Sequence, residues 1–152
     1  MFRLDTIWRD DRGNSFVEMA LIAPVLATLL VGTIDISRGV SAKVQAEQAA
    51  QRAIELAQST TYSTSMNSTL QSEAETAAGS GSAATVSAWG ECDHSTTQID
   101  YNTGTCNANQ TISRYVSVTV QSSFTPLFTS TFFSANSDGT VTVKGYAVVR
   151  TE

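Results

Sequence analysis

With 152 residues and a formal net charge of −5, the chain is sized for one compact domain. It shows none of the basic patches that a general nucleic-acid binder uses. A single histidine, two cysteines and no glycine loop or paired C-x-x-C of the phosphate- or metal-binding kinds leave little for catalysis. The first element in chain order is a charged stub, Arg9-Asp-Asp-Arg12, followed by Gly13 and a long apolar run. From Met19 to Ile34 there are 16 residues without a formal charge, which cover roughly 24 Å as a helix and fall short of a bilayer core of about 30 Å. Carrying the helix back to Asn14 gives 21 residues and roughly 31 Å, enough to span. That extension takes Glu18 into the apolar zone, where an acid is costly and tends to be paired or functional. No cation sits one turn away: Arg12 precedes Gly13, and the next is Arg38.

The helix is expected to continue past the apolar run to about Gln58. Ile36, Val40, Val44, Ala50, Ile54 and Ala57 recur at helical spacings and predict an amphipathic extension with a narrow, small-residue face. Pro24 removes one backbone donor and predicts a bend. Asp35 and Arg38, one turn apart, read as an interfacial ion pair. Residues 59–69 hold eight Ser or Thr and read as a linker. A short helix is expected over Asn67 to Ala78, with Ser68 and Gln71 placed as a capping box, until Gly-Ser-Gly-Ser at 79–82 breaks it. Beyond this the period becomes two. Ala84, Val86 and Ala88 form one half-buried strand and Val116, Val118 and Val120 a second. Thr140 to Arg150, after the turn dipeptide Asp138-Gly139, forms a third in which Gly145 suggests a bulge. Phe124, Leu127, Phe128, Phe132 and Phe133 lie between the last two strands and read as core, lid or subunit-contact residues.

Cys92 and Cys106 close a loop rich in Asn, Asp and Gly. A disulfide is favoured over free thiols, and over a metal site using Cys92, His94, Cys106 and Asp93, which lacks paired ligand spacing. A bridge puts the C-terminal part outside the cytoplasm. His94, the only histidine, reads as a surface residue of a polar loop, and nothing supports an enzyme or requires a cofactor or metal. The flanking cations tie, with Arg3, Arg9 and Arg12 before the span and Arg38, Lys43 and Arg52 after it, so orientation cannot be taken from charge.

The N-terminal segment resembles the TadE-like proteins of the tight-adherence (Tad, or Flp) pilus system. The residues that carry the resemblance are Arg12, Gly13, Val17, Glu18, Ala20, Leu21, Pro24, Leu29, Leu30, Gly32 and Asp35. The chain departs at Met19, where the family usually has Phe or Tyr. Gly32 to Ala57 is similar to the family's Ala- and Gln-rich extension, and Tyr115 to Glu152 to its closing strands. The resemblance implies a pilin-like α+β fold: a transmembrane helix continuing into a periplasmic amphipathic helix, packed with a small antiparallel sheet of about three strands.

Carried over, the resemblance also divides the chain. Residues 1–13 become a cytoplasmic leader, 14–36 a transmembrane helix, 37–58 its extension, 59–82 a linker with a short helix and 83–152 a periplasmic globule. It implies cleavage by a prepilin peptidase between Gly13 and Asn14, which creates an amine, and an assembly role for Glu18 opposite the Asn14 amine of a neighbouring subunit. The implied protein is a minor pilin or pseudopilin of the bacterial inner membrane, supporting pilus assembly, adhesion and biofilm formation. Its partners are the peptidase, other pilin subunits, the Tad inner-membrane machinery and the lipid bilayer, with no nucleic acid and no small-molecule substrate. Two alternatives stand beside it: an uncut, single-pass periplasmic scaffold or binding module of a secretion system, and an ordinary secretory signal cut after Val40-Ser41-Ala42.

Overall fold

The apolar run and the helical spacing of the residues after it carry through Pro24, Gly32 and Gly39 as a single long helix. In the computed structural model, which describes residues 14–93, 95–127 and 136–151, this helix α1 runs Asn14–Ser59. Its 46 residues correspond to roughly 69 Å. Pro24 lies inside it and has no N–H to give to the carbonyl one turn back. Arg12, Gly13, His94, Phe128, Phe132 and Phe133 lie outside the described residues.

A short 3₁₀ turn at Thr64–Met66 leads into helix α2, Asn67–Ala78. The predicted capping box does not form. Met66 occupies the cap position without a side-chain bond, and Gln71 instead donates to Glu75, one turn on along α2. The Asn67 side chain accepts from the Tyr62 hydroxyl. Leu70, Ala74 and Ala78 are buried, so the Ser/Thr-rich stretch ends in a helix that belongs to the core. Gly79, with φ of 90°, closes α2 by donating to the Glu75 carbonyl, in a backbone region that favours glycine.

Strands β1 (Ala83–Cys92), β2 (Gln98–Asp100), β3 (Ile112–Phe124) and β4 (Val141–Arg150) form one antiparallel sheet in the order β2-β1-β3-β4. The three expected strands are present. The fourth, β2, is only three residues long, too short for an alternating pattern. Three rungs build the inner face: Ala84, Val120 and Gly145; Val86, Val118 and Ala147; Ala88, Val116 and Val149. The three β3 valines are fully buried, each such side chain contributing roughly 1.5–3 kcal/mol.

This face lies against α1, and the contact corrects the sequence reading twice. First, the buried side of α1 is Asp35, Ala46, Ala49, Ala50, Ala53, Ile54 and Ala57, so that Ala50, Ile54 and Ala57 are covered as expected, whereas Ile36 and Val40 are each 58% exposed. Second, Gly145 marks no bulge, because the β3–β4 register runs unbroken through the Val120–Gly145 pair. A Cβ at Gly145 would instead collide with the carbonyl carbon and oxygen of Ala46 and the nitrogen of Glu47. Glycine is there because strand backbone rests on helix backbone. Lys43 clamps the same crossing by donating to the Lys144 carbonyl and pairing with Glu47 at 2.9 Å.

The open edge of β1 has its own cover. The Glu75 carboxylate on α2 accepts the Ala84 backbone N–H at 3.1 Å. That bond, and a second from Gln71, hold the Glu75 carboxyl below the usual carboxylate range. A lowered folded-state value adds stability above the unfolded value, lost as pH falls through the folded one. The Ala84 amide proton resonance should therefore titrate with a midpoint below that of a free glutamate, and Glu75→Gln should abolish the titration. A midpoint at the free value would show that the edge cap does not persist in solution.

Candidate functional site

The site of interest is the part of α1 that the globule does not cover. Going down the helix from Ala46, the last buried side chain is Asp35. Residues 14–34, roughly 31 Å of helix, extend beyond it. Their apolar side chains face outward, with Phe16 at 80% and Leu21 at 72% exposed and Val17, Met19, Ile22, Val25, Leu26, Leu29 and Leu30 also open. Water would not tolerate such a surface, whereas a bilayer would. The helix is long and apolar enough to cross a membrane. Its two threonines are already satisfied inside the helix: Thr28 donates to the Val25 carbonyl and Thr33 to the Leu29 carbonyl, each at 2.8 Å. That is how a spanning segment carries threonine without exposing a free donor to lipid.

Glu18 is the one formal charge on this segment and it is exposed. Among the described residues, no cation lies between it and Arg38, which is 20 positions on. The side chains of Val17, Ala20, Leu21 and Pro24 share its exposed surroundings. A Cβ at Gly32 would meet nothing within 4 Å, so the chain's own fold does not require glycine there.

Asp35 makes the pair with Arg38 expected of it, but loosely, and holds a closer partner from the globule. Its residue is only 4% exposed. Its carboxylate accepts the Leu127 backbone N–H at 2.8 Å, while Arg38 approaches at 3.8 Å, a loose ion pair. One turn up, the Phe124 ring lies over Gly39, where a Cβ would sit 3.1 Å from the ring edge. Asp35 and Gly39 thus fasten the end of β3 to the helix where the apolar segment begins. Spacing within α1 could not show this, because the partner lies 92 residues away.

At the far end the cysteines form a disulfide, Cys92–Cys106. Both sulfurs are consumed, which removes the thiolate ligands that the metal reading needed. The loop is further built by Asp93, which accepts the Thr111 N–H, and by Asp100. The Asp100 carboxylate accepts the Thr103 N–H and hydroxyl and the Asn102 N–H, bonds that hold its carboxyl below the usual range.

Tyr101 from this loop meets Tyr62 edge-on, with centroids 5.1 Å apart, and Arg114 lies over its ring. Burial pushes the Tyr62 hydroxyl up, with a further push from Tyr101. This aromatic plug escaped the sequence reading. Its only signal was a tyrosine in each of two polar stretches. Beside it, Ala57, Thr60, Tyr62, Tyr101, Arg150 and Thr151 line a cleft of about 390 Å³. Several of these groups already bond to one another, as Tyr101 does to Thr151.

Comparison with known proteins agrees with the helix. Residues 13–54 match the family model described as TadE-like protein. No curated protein and no solved structure matches the chain at a significant level.

Proposed function

We propose that this chain is a pseudopilin or minor pilin of a Tad pilus, a structural protein and not an enzyme, a reading supported by the TadE-like match over residues 13–54. It is held in the inner membrane by residues 14–34, with its C-terminal domain in the periplasm, and supports pilus assembly and through it adhesion and biofilm formation. The observation that carries this reading is the uncovered apolar segment with a lone acid one turn from its start, joined without a break to the helix on which the globule is built. Cleavage between Gly13 and Asn14 by a prepilin peptidase would place a new ammonium at the membrane edge. Across subunits that amine would pair with Glu18. The amine also lies one turn from Glu18 of its own chain, and the pairing with a neighbour's Glu18 would add to this a contact made on assembly. Other pilin subunits and the Tad membrane machinery are the partners that follow. An uncut scaffold of a secretion system is the competing reading.

The test is the N-terminus of the membrane-extracted protein from cells with a working prepilin peptidase. Asn14 is expected as the first residue. Met1 would favour the uncut scaffold and Lys43 the secretory signal. In parallel, Glu18→Ala should leave cleavage largely intact and reduce incorporation into pili or pseudopilus complexes. Unchanged piliation together with unchanged co-purification of pilin subunits would remove Glu18 from the assembly mechanism.

A further inference from the structure

The span also fixes how low the globule sits. With the apolar segment ending at Ile34, the hydrocarbon boundary lies there. The headgroup layer beyond it is roughly 5–7 Å thick. Arg38 is four residues further on, roughly 6 Å, so Asp35 to Arg38 lie inside that layer. Leu127 is tied to Asp35 through its own backbone N–H at 2.8 Å and must lie at the same level. Its side chain is 59% exposed. Pro126, directly before it, is buried and sets the backbone of the turn.

We propose that the globule is seated on the outer surface of the bilayer through this turn. The Leu127 side chain enters the boundary between acyl chains and headgroups, and the Arg38 guanidinium faces the lipid phosphates. The occupant of this surface is the phospholipid leaflet, on two grounds. One is continuity: the exposed apolar side chains of α1 run through Ile34 and Ile36 to the level of Leu127, and the polar residues between Leu30 and Ile36 are Thr33, whose hydroxyl bonds within the helix, and Asp35. Asp35 itself is turned into the protein, where Leu127 covers it. The other is charge complementarity. Arg38 remains 46% exposed at this level, and a guanidinium on a long stem suits a phosphate layer. Seating explains why an acid so close to hydrocarbon is roofed by a backbone N–H from the globule: lipid could not have solvated it. The seat would fix the tilt of the sheet over the membrane and so the direction in which β4 and the disulfide loop face neighbouring subunits.

This inference rests on the spanning role proposed above, and the test separates the two. The described residues contain no free cysteine, so a single introduced cysteine can carry a nitroxide label without reductant. The full-length protein is labelled at Leu127→Cys, at Leu26→Cys in the span and at Tyr146→Cys, on a residue 56% exposed on the outer sheet face. It is reconstituted into phosphatidylcholine and phosphatidylglycerol vesicles, and collisions with oxygen and with a water-soluble nickel complex are compared. The expected result is an excess of oxygen collisions at 26, a smaller excess at 127 and the reverse at 146.

A label at 26 in hydrocarbon with 127 as nickel-accessible as 146 would overturn the seat and leave the span standing. A label at 127 shielded from both reagents would assign the surface to a protein partner and also overturn it. Nickel access at 26 would overturn both proposals.

Discussion

Gly145→Ala should lower the unfolding free energy of the detergent-solubilised protein by about 3 kcal/mol, at the upper end of what overpacking costs. In a strand, glycine to alanine ordinarily helps slightly, because glycine loses more conformational freedom on folding. Here the sign reverses. The added methyl would point at the Ala46 carbonyl and the Glu47 nitrogen, which are helix backbone, and no rotamer change can move them aside. The sheet must shift away from α1, and the close contact of Val116, Val118 and Val120 with the alanine stripe loosens with it. For a folded part of about 100 residues the loss corresponds to a fall in Tm of roughly 12–24 °C.

Two comparisons make this specific. Ala46→Gly should not rescue the variant, since the clash is with backbone and not with the Ala46 methyl. Gly39→Ala should cost far less, because a Cβ there meets the edge of the Phe124 ring at 3.1 Å and a ring can turn. Rescue by Ala46→Gly, or equal losses at the two glycines, would show that helix and strand are further apart than the structure places them.

The same contact shows why the extent of the long helix could be read from the sequence and its orientation could not. Its length followed from the apolar run and the helical spacing of Ile36, Val40, Val44, Ala50, Ile54 and Ala57. Its narrow face was placed on these residues, of which Ala50, Ile54 and Ala57 are buried while Ile36, Val40 and Val44 face away. A hydrophobicity pattern ranks positions by apolar size. This interface selects small residues, because the sheet approaches to backbone distance at Gly145. Likewise, glycine in a strand signals either a bulge or a close approach, and only the partner element decides between them.

The alternation of Val116, Val118 and Val120 was enough to place β3. Strand β2, Gln98-Ile99-Asp100, offers one apolar residue and owes its existence to its neighbours on β1. Of the candidate site, Glu18 was legible as an acid without a cation in reach. The Asp35 bond to Leu127 was not, since a contact across 92 residues leaves no local trace.

Replacing both cysteines, Cys92→Ser with Cys106→Ser, should lower stability by about 3 kcal/mol, the chain-entropy value for a loop of this size. The sequence separation is 14. The cost falls on the unfolded state: without the bridge the unfolded chain gains freedom, while several other bonds still hold the loop in the folded state. These include the β1–β2 register, Asp93 with Thr111, the Asn102 amide on Thr64 and the Tyr101 hydroxyl on Thr151. The fold should therefore survive the double substitution, with the denaturant midpoint lowered and the slope unchanged. A loss well under 1 kcal/mol, accompanied by collapse of amide protection at Gln98 to Asp100, would mean that the loop melts in the native state once the bridge is gone.

The location of the bridge adds a reading on topology. It lies at the far end of the globule from the Asp35 anchor, so it reports which side of the membrane the globule occupies. A bridge forms and persists in an oxidising compartment. In intact cells, a thiol reagent should shift the mass of the wild-type protein only after reduction. Alkylation without reductant would place the globule in the cytoplasm and reverse the orientation on which the pilin reading depends.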